Sequence, residues 1–238
     1  MKADILAFAA HPDDIELAAS GTILKHVAKG KKVVIIDLTR GELGTRGSAE
    51  IRDAEAAKSA EILGLSARHN LDLGDGFFEI TETTLMAVVK MIRMYQPKVV
   101  ICNAESDRHP DHGRGGDLVS RACFLAGLSK VETFISGEKQ EKHRPLNVFR
   151  YIQDRYIKPD IVIDVTDFMD KKMESIYAFS SQFYNPESKE PETPISSKAF
   201  IDYVQGRSAQ FGRIINVKYG EGFTVERAPG IEDLTEII

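Results

Sequence analysis

Residues that form covalent or thiolate sites are scarce in this chain. Its 238 residues include two cysteines and no tryptophan. Cys102 and Cys123 stand apart in apolar stretches and outside any CxxC pair, so we exclude a disulfide framework and a zinc–thiolate site. Both are expected to be small, buried, hydrophobic side chains. A chain without structural disulfides is typical of a reducing compartment, and we expect a cytoplasmic protein.

Long apolar runs and dense basic blocks are missing as well. No apolar run approaches the roughly 20 residues that span a bilayer. The N-terminal apolar run is too short, and too soon followed by charge, to be a signal peptide. The net charge is −5, whereas proteins that bind nucleic acids usually present a basic face. We therefore expect neither a membrane nor a nucleic acid among the partners.

A regular alternation of apolar runs and helical patterns fills residues 1–130. The hydrophobic fraction is 42%, enough for a sizeable core. Strands that alternate with helices imply right-handed crossovers, and so an α/β fold with a Rossmann-like, doubly wound, mostly parallel sheet flanked by helices. The predicted strands are 3–10, 32–39, 68–73 and 98–103, and the predicted helices are 15–30, 48–65, 82–97 and 111–128.

The pattern becomes irregular beyond residue 130. Strands are predicted near 147–153 and 161–166, and helices at about 167–179 and, after the proline loop 185–194, through about 211. Neither an internal repeat nor a clear linker divides the chain. We expect one domain over 1–238, in which an α+β extension, 131–238, completes the pocket of the regular core. The proline loop could be a lid or an oligomer contact.

Two polar segments follow the first and fourth predicted strands. They are AAHPDDIEL at 9–17 and DRHPDH at 107–112. In a doubly wound sheet, ligands bind outside the carboxyl ends of the strands, where the strand order reverses. With the order 3-2-1-4-5, strands one and four are neighbours at that point. We therefore expect the two segments to face each other across one crevice.

The residue types in these segments are those of a metal site. His11 and Asp14 are three residues apart, as are His109 and His112, so each pair can reach one point. Two histidines and a carboxylate can hold a catalytic zinc with an open position, and the same set suits iron(II). Spacing does not decide which histidine of the second segment binds. Helix capping would explain one aspartate, but Asp13 is a second, which could take a proton beside a bound dication.

These motifs resemble the LmbE-like, or PIG-L-type, zinc-dependent N-deacetylases. AHPDD and HPDH carry the resemblance, and TRGELGTRG, EIRDAEAAKSAEILGL, SSQFY and YGEGFTVERA extend it over nearly the whole chain. The wider set is most similar to the branch of bacillithiol biosynthesis, which removes acetate from N-acetylglucosaminyl-malate. The resemblance implies Zn²⁺ as cofactor, a small N-acetyl sugar conjugate as substrate, and a homo-oligomer, with a hexamer as the expected form.

The resemblance also implies a role for each motif residue. The implied zinc ligands are His11, Asp14 and His112, and the implied catalytic residues are Asp13, His109 and Asp111. Asp13 would be the general base. His109 would be a protonated histidine that stabilises the oxyanion, held in place by Asp111.

Three further residues are expected at the substrate. Arg52, early in the second helix, is positioned to hold a substrate carboxylate bidentately, that of malate if the substrate carries one. The alternative is an exposed helix arginine paired with a neighbouring glutamate. Asp107 is expected at the pocket rim. Tyr184 could reach the pocket from the C-terminal part, or belong to an aromatic core.

Several functions remain open on the sequence alone. Within the family, they are a thiol-conjugate amidase and a deacetylase of another N-acetyl sugar. An iron(II) oxygenase fits the ligand set but usually has another fold. A non-catalytic Rossmann-like ligand-binding module is a different class, and it would bind no stoichiometric metal. The glycines Gly41, Gly44 and Gly47 do not form the GxGxxG pattern that would favour such a module.

Overall fold

A computed structural model describes residues 1–238, except for the side chain of Glu236. The strands are β1 (Ile5–Ala9), β2 (Val33–Asp37), β3 (Ala67–Asn70), β4 (Val99–Asn103), β5 (Phe134–Ile135), β6 (Glu138–Lys139), β7 (Asn147–Tyr151), β8 (Ile161–Asp164) and β9 (Gly220–Val225). The α-helices are α1 (Asp14–Ala18), α2 (Ser20–Ala28), α3 (Ala49–Leu63), α4 (Glu82–Tyr95), α5 (Pro110–Ala126), α6 (Met169–Tyr177) and α7 (Lys198–Ile214). Short 3₁₀ turns cover Thr166–Phe168 and Leu234–Glu236.

The central sheet has the strand order β3-β2-β1-β4-β7-β9-β8. The pairs from β3 through β7 are parallel, and β9 runs antiparallel to both β7 and β8. This confirms the predicted α/β fold with a mostly parallel sheet. β1 and β4 are neighbours, as predicted, with Ile5 opposite Val99. Among the described residues, no helix is long and apolar enough to cross a membrane.

Helices cover both faces of the sheet. Every residue of β1 and β2 is buried, which is the pattern of parallel strands covered on both sides. Leu6 and Phe8 point into the core formed with α4 and α5, while Ile5 and Ala7 point into the core formed with α2. A third cluster joins α3 to α6 and α7 and so fixes the C-terminal part to the core.

Phe8 provides a test of this packing. Its side chain is fully buried beside the strands that carry the polar segments. We expect Phe8→Ala to lower the free energy of unfolding by about 3–5 kcal/mol, because it removes buried area and leaves a cavity. Urea denaturation would measure the change. Phe77→Ala is the matched control, since Phe77 is 81% exposed and should change the stability by less than about 0.5 kcal/mol.

The single helix predicted over 15–30 was wrong. It divides at Ala19 (φ −139°, ψ 5°) into α1 and α2. The first N–H groups of α2, those of Gly21 and Thr22, donate to the Glu221 carboxylate at 2.9 and 2.7 Å. The N-terminus of α2 is thus capped by a residue of β9, about 200 residues away in the sequence. The local sequence around Ala19 contains no signal for this cap.

The sequence analysis missed β9 and the short β5–β6 hairpin. Two of the six residues of β9 are glycines, which weaken a strand pattern. They are needed for close packing: a Cβ on Gly220 would lie 2.7 Å from Val162 Cγ1, and one on Gly222 would lie 3.0 Å from the Phe211 ring. These two glycines therefore allow α7 and β8 to pack closely against β9.

Candidate active site

The two polar segments meet at the carboxyl ends of β1 and β4. The ring centroids of His11 and His112 are 5.5 Å apart, and those of His11 and His109 are 4.5 Å apart. The predicted convergence is confirmed. It follows directly from the topology, since neighbouring parallel strands end at the same edge of the sheet.

A cavity of about 290 Å³ opens above these residues. The core contributes the histidines and aspartates, while the C-terminal part contributes one wall. That wall includes Gln153, Asp154, Lys172, Tyr203, Arg207 and Glu221. Both halves of the chain therefore build the same cavity.

Asp13 occupies an unusual backbone position on the cavity wall. Its φ is 119° with ψ −21°, a region that few non-glycine residues adopt. Such strain persists where the surrounding structure enforces it, and it is common at functional sites. Burial raises the pKa of Asp13 to about 7, although Arg52 works in the opposite direction. A carboxyl group with this pKa can exchange a proton near neutral pH.

Arg52 lies at the cavity wall and is paired with Asp13. Its Nη2 donates to Asp13 Oδ2 at 2.8 Å and to the Pro12 carbonyl at 2.6 Å, and its Nη1 donates to the Gly41 carbonyl at 3.1 Å. The guanidinium is buried, and its forked donors are directed at the strained turn. Arg52 therefore orients Asp13 at the cavity wall, and its predicted grip on a substrate carboxylate stays a prediction.

Asp14 lies between the two imidazoles. Its Oδ1 is 3.1 Å from His112 Nε2, and its Oδ2 is 3.7 Å from His11 Nδ1. Donor atoms around a tetrahedral ion with bonds of about 2.1 Å are about 3.4 Å apart, so these separations suit one ion. The groups of three whose donor atoms all lie within 4.8 Å of one another are His11, His109 and His112, and His11, Asp75 and Asp111, whereas Asp14 approaches the two rings with a different oxygen each.

Each of the two imidazoles that flank Asp14 has a carboxylate behind it. His11 Nε2 is 3.1 Å from Asp75 Oδ1, and His112 Nδ1 is 2.7 Å from Asp107 Oδ2. Histidine ligands of metals commonly use their second nitrogen in this way, which fixes the tautomer and the ring orientation. The arrangement leaves His11 Nδ1 and His112 Nε2 directed toward Asp14.

The carboxylates around His11 and His112 stabilise positive charge at this site. Burial lowers the pKa of His11, but bonds with Asp111 and Asp75 raise it to about 9 overall. Burial likewise lowers the pKa of His112, while Asp14 and Asp107 raise it to about 10. A divalent cation would satisfy the same demand. Donor types, separations and charge therefore all fit a metal ion.

His109 and Asp111 differ from the expected pair. The Asp111 backbone N–H donates to His109 Nδ1 at 3.3 Å, where His109 caps α5. The Asp111 carboxylate instead accepts from the Gly76 N–H and Arg114, and lies 3.5 Å from His11 Nε2. Burial and the neighbouring histidines lower the pKa of His109. The contact at Nδ1 leaves Nε2 as the ring nitrogen that can donate, and the predicted role of His109 in stabilising the oxyanion stays a prediction.

Asp107 and Tyr184 are also placed differently from the prediction. Asp107 lies behind His112, where it also accepts from the backbone N–H groups of Asp154 and Arg155, and not at the rim. Tyr184 is 38% exposed, away from the cavity wall. From the same SSQFY segment it is Gln182 that lines the cavity.

Two residues of the site were missed by the sequence analysis. Asp75, between Gly74 and Gly76, lies 3.1 Å from His11 Nε2. Gln153, just after β7, donates from Nε2 to Asp14 Oδ1 at 2.8 Å. The only available signal was the position of both residues near the carboxyl ends of strands, and neither stands in a recognisable motif.

Asp107→Asn tests the role of the carboxylate behind His112. We expect it to weaken zinc binding by about 10–100-fold, because the orienting charge on the imidazole is lost. Competition with a chromogenic chelator would measure the affinity. Asp117→Asn, a change to an exposed aspartate on α5, is the control. Equal affinities for the two variants would show that Asp107 does not support a metal ligand.

Comparisons with known proteins identify the family of this chain. The family model of GlcNAc-PI de-N-acetylase (PIG-L) matches residues 6–123. A diacetylchitobiose deacetylase of Thermococcus kodakarensis is 30% identical over 95% of this chain and 84% of its own length. The chain belongs to the PIG-L family. The family match includes both polar segments and ends inside α5.

Two further relatives show how far the similarity extends. A conserved protein of Thermus thermophilus has a solved structure with a TM-score of 0.84 and 30% identity, covering 97% of this chain and 98% of that one. A 4-oxalmesaconate hydratase of Pseudomonas putida is 29% identical over 74% of this chain and 73% of its own length. The fold is thus shared by relatives whose names give different reactions.

Proposed function

We propose that this protein is a metal-dependent N-deacetylase, which removes acetate from an N-acetylglucosamine conjugate. One observation carries the proposal: a buried carboxyl group with a near-neutral pKa, that of Asp13, adjoins the donors of His11, Asp14 and His112 in one cavity. Membership of the PIG-L family and the Thermococcus relative support the reaction type.

The proposed ligands of the metal are His11, Asp14 and His112. Zinc or iron(II) bound there would act as a Lewis acid and lower the pKa of water to about 7. Asp14 is the negatively charged member of the set, since hydrogen bonds and His112 hold its pKa well below its usual value despite burial. His109 lies beside the set as a hydrogen-bond donor.

Asp13 would act as the base. Its carboxylate takes a proton from the attacking water while Arg52 keeps Oδ2 in place through the 2.8 Å ion pair. Water oxygen then bonds to the acetamide carbon, and the C–N bond breaks. Asp13 returns its proton to the leaving nitrogen, so the products are acetate and a free amine.

His109 would stabilise the charge that develops on the carbonyl oxygen. Its Nδ1 accepts the Asp111 N–H, so the proton lies on Nε2 and can be donated to that oxygen. A neutral imidazole can donate this hydrogen bond without a neighbouring carboxylate, which only an imidazolium would need to stabilise its charge. A single donor of this kind can be worth about 10²–10³-fold in kcat.

The substrate can be tested directly. Metal-loaded protein should release equimolar acetate and amine from at least one of diacetylchitobiose, N-acetylglucosamine and N-acetylglucosaminyl-malate. The malate conjugate, and with it a place in bacillithiol biosynthesis, stays a prediction, as do zinc as the native metal and the homo-oligomer. Absence of acetate from all three substrates, with zinc and with iron(II), would contradict the proposed deacetylation.

Hydration is the second candidate, because the Pseudomonas relative is a hydratase. The same base and metal would then add water across a carbon–carbon double bond. Loss of the ultraviolet absorbance of 4-oxalmesaconate, without any acetate release from the sugars, would favour it. A thiol-conjugate amidase would instead release a cysteinyl product from an amide-linked conjugate in the same assay.

A further inference from the structure

The cavity wall contains one cation with unusual partners. Among the described residues that line the cavity, four are arginine or lysine: Arg52, Arg108, Lys172 and Arg207. Three of them form ion pairs, with Asp13 at 2.8 Å, Asp154 at 2.9 Å and Glu221 at 2.6 Å respectively. Arg207 differs, because its hydrogen bonds go to neutral backbone carbonyls.

Neutral groups fix the Arg207 guanidinium in place. Its two Nη atoms donate to the carbonyl oxygens of Gln153 and Asp154. Its Cζ also lies 4.8 Å from the centroid of the Tyr203 ring, one helical turn earlier on α7. These contacts orient the group, but they do not cancel its charge.

The charge of Arg207 is only partly balanced by its surroundings. Burial lowers its pKa, and the nearby carboxylates that oppose this are those of Asp154 and Asp107. Both are already engaged: Asp154 with Arg108, and Asp107 with His112. A half-buried guanidinium without its own counter-ion is costly, and a bound anion would recover that cost.

The guanidinium has donors left for such an anion. It carries five N–H groups, and carbonyl oxygens occupy two of them. The planar fork matches a carboxylate, which it can bind through two parallel hydrogen bonds. Preorganisation by Tyr203 and two carbonyls reduces the entropy lost when that anion binds.

Arg207 is also close to the proposed reaction centre. The Gln153 carbonyl accepts from Arg207, and the Gln153 side chain donates to Asp14 at 2.8 Å. A substrate with its acetamide at Asp13 could therefore extend along this wall. The group reaching Arg207 would be the part of the sugar conjugate that lies away from the acetyl group.

We propose that Arg207 is an anion subsite that binds a carboxylate carried by the aglycone of the N-acetyl sugar. This inference rests on the proposed deacetylation. It gives the substrate carboxylate a partner other than Arg52, which is committed to Asp13. A substrate with a carboxylate should thus be preferred over a neutral substrate of the same size.

A matched pair of substrates tests this preference. They are the carboxymethyl glycoside of N-acetylglucosamine and its neutral isostere, the carbamoylmethyl glycoside. For the unchanged protein we expect kcat/KM to be at least tenfold higher for the acid. Arg207→Met should bring the ratio close to one, mainly through KM, and Arg207→Lys should keep part of the preference. Arg213→Met, an exposed change on α7, should leave the ratio unchanged.

Two results would overturn the inference. One is a ratio near one in the unchanged protein. The other is Arg207→Met slowing both substrates equally with the ratio kept, since Arg207 would then only clamp the segment after β7. Circular dichroism and zinc content establish that each variant is folded and loaded.

Failure of the proposed deacetylation would be recognised separately, because neither glycoside would then release acetate. Calorimetric titration with malate alone would still decide the anion subsite. Binding to the unchanged protein that is lost in Arg207→Met supports it, and equal or no binding in both proteins overturns it.

Discussion

Asp13→Asn is expected to lower kcat for acetate release by about 10³-fold while the metal content stays at one ion per chain. The amide cannot accept the proton of the attacking water, and a general base contributes about 10²–10⁴-fold. Asparagine keeps the size of the side chain, can still accept from Arg52, and tolerates positive φ better than most residues. Acetate release at saturating substrate, together with zinc analysis, measures both quantities.

Asp72→Asn is the matched control for that substitution. Asp72 also has a positive φ, 51°, and it is exposed on the loop after β3. The control should keep its full rate. If Asp13→Asn were fully loaded with zinc and equally fast, the proton transfer assigned to Asp13 would be wrong.

Removal of the metal is expected to reduce acetate release to less than about 1%. Without an ion that lowers the pKa of water from 15.7 to about 7, little hydroxide is available at neutral pH. Dialysis against dipicolinate should abolish turnover, and one equivalent of zinc, or of iron(II) without oxygen, should restore it. A stripped protein that keeps its rate would exclude a metal-dependent reaction.

Histidine substitutions connect that loss to the proposed ligands. His112→Gln should bind substantially less than one zinc per chain. His143→Gln should bind one, because the His143 ring bonds to the Pro97 carbonyl far from the cavity. Mass spectrometry under native conditions measures the stoichiometry. Full zinc binding by His112→Gln would remove His112 from the ligand set.

Local sequence patterns were sufficient to predict the parallel core of the sheet and its flanking helices. The alternation of apolar runs with helical periods predicted the parallel core and α3, which Ser48 caps by accepting from the Ile51 N–H at 3.3 Å. The meeting of His11 with His112 followed from strand order alone. These features need only periodicity, capping and the geometry of parallel strands.

The choice of partners inside the polar cluster could not be predicted in this way. Asp111 turns from His109 to His11 because Gly76, from another loop, and Arg114, from the next turn of α5, hold its carboxylate. Arg52 turns to Asp13 because the strained turn directs a carboxylate at α3. Such choices depend on several long-range contacts at once, so spacing within one motif does not determine them.

The position of β7 beside β4 has a consequence for how new specificities could evolve. Gln153, just after β7, contacts Asp14 with its side chain and Arg207 of α7 with its carbonyl group. The cavity residues on α7 therefore belong to a different stretch of the gene from Asp13 and Asp14. Under the proposed function, substitutions on α7 would change which substrate is bound without altering the proposed metal ligands or Asp13. One scaffold could thereby acquire new substrates in small steps without passing through an inactive form.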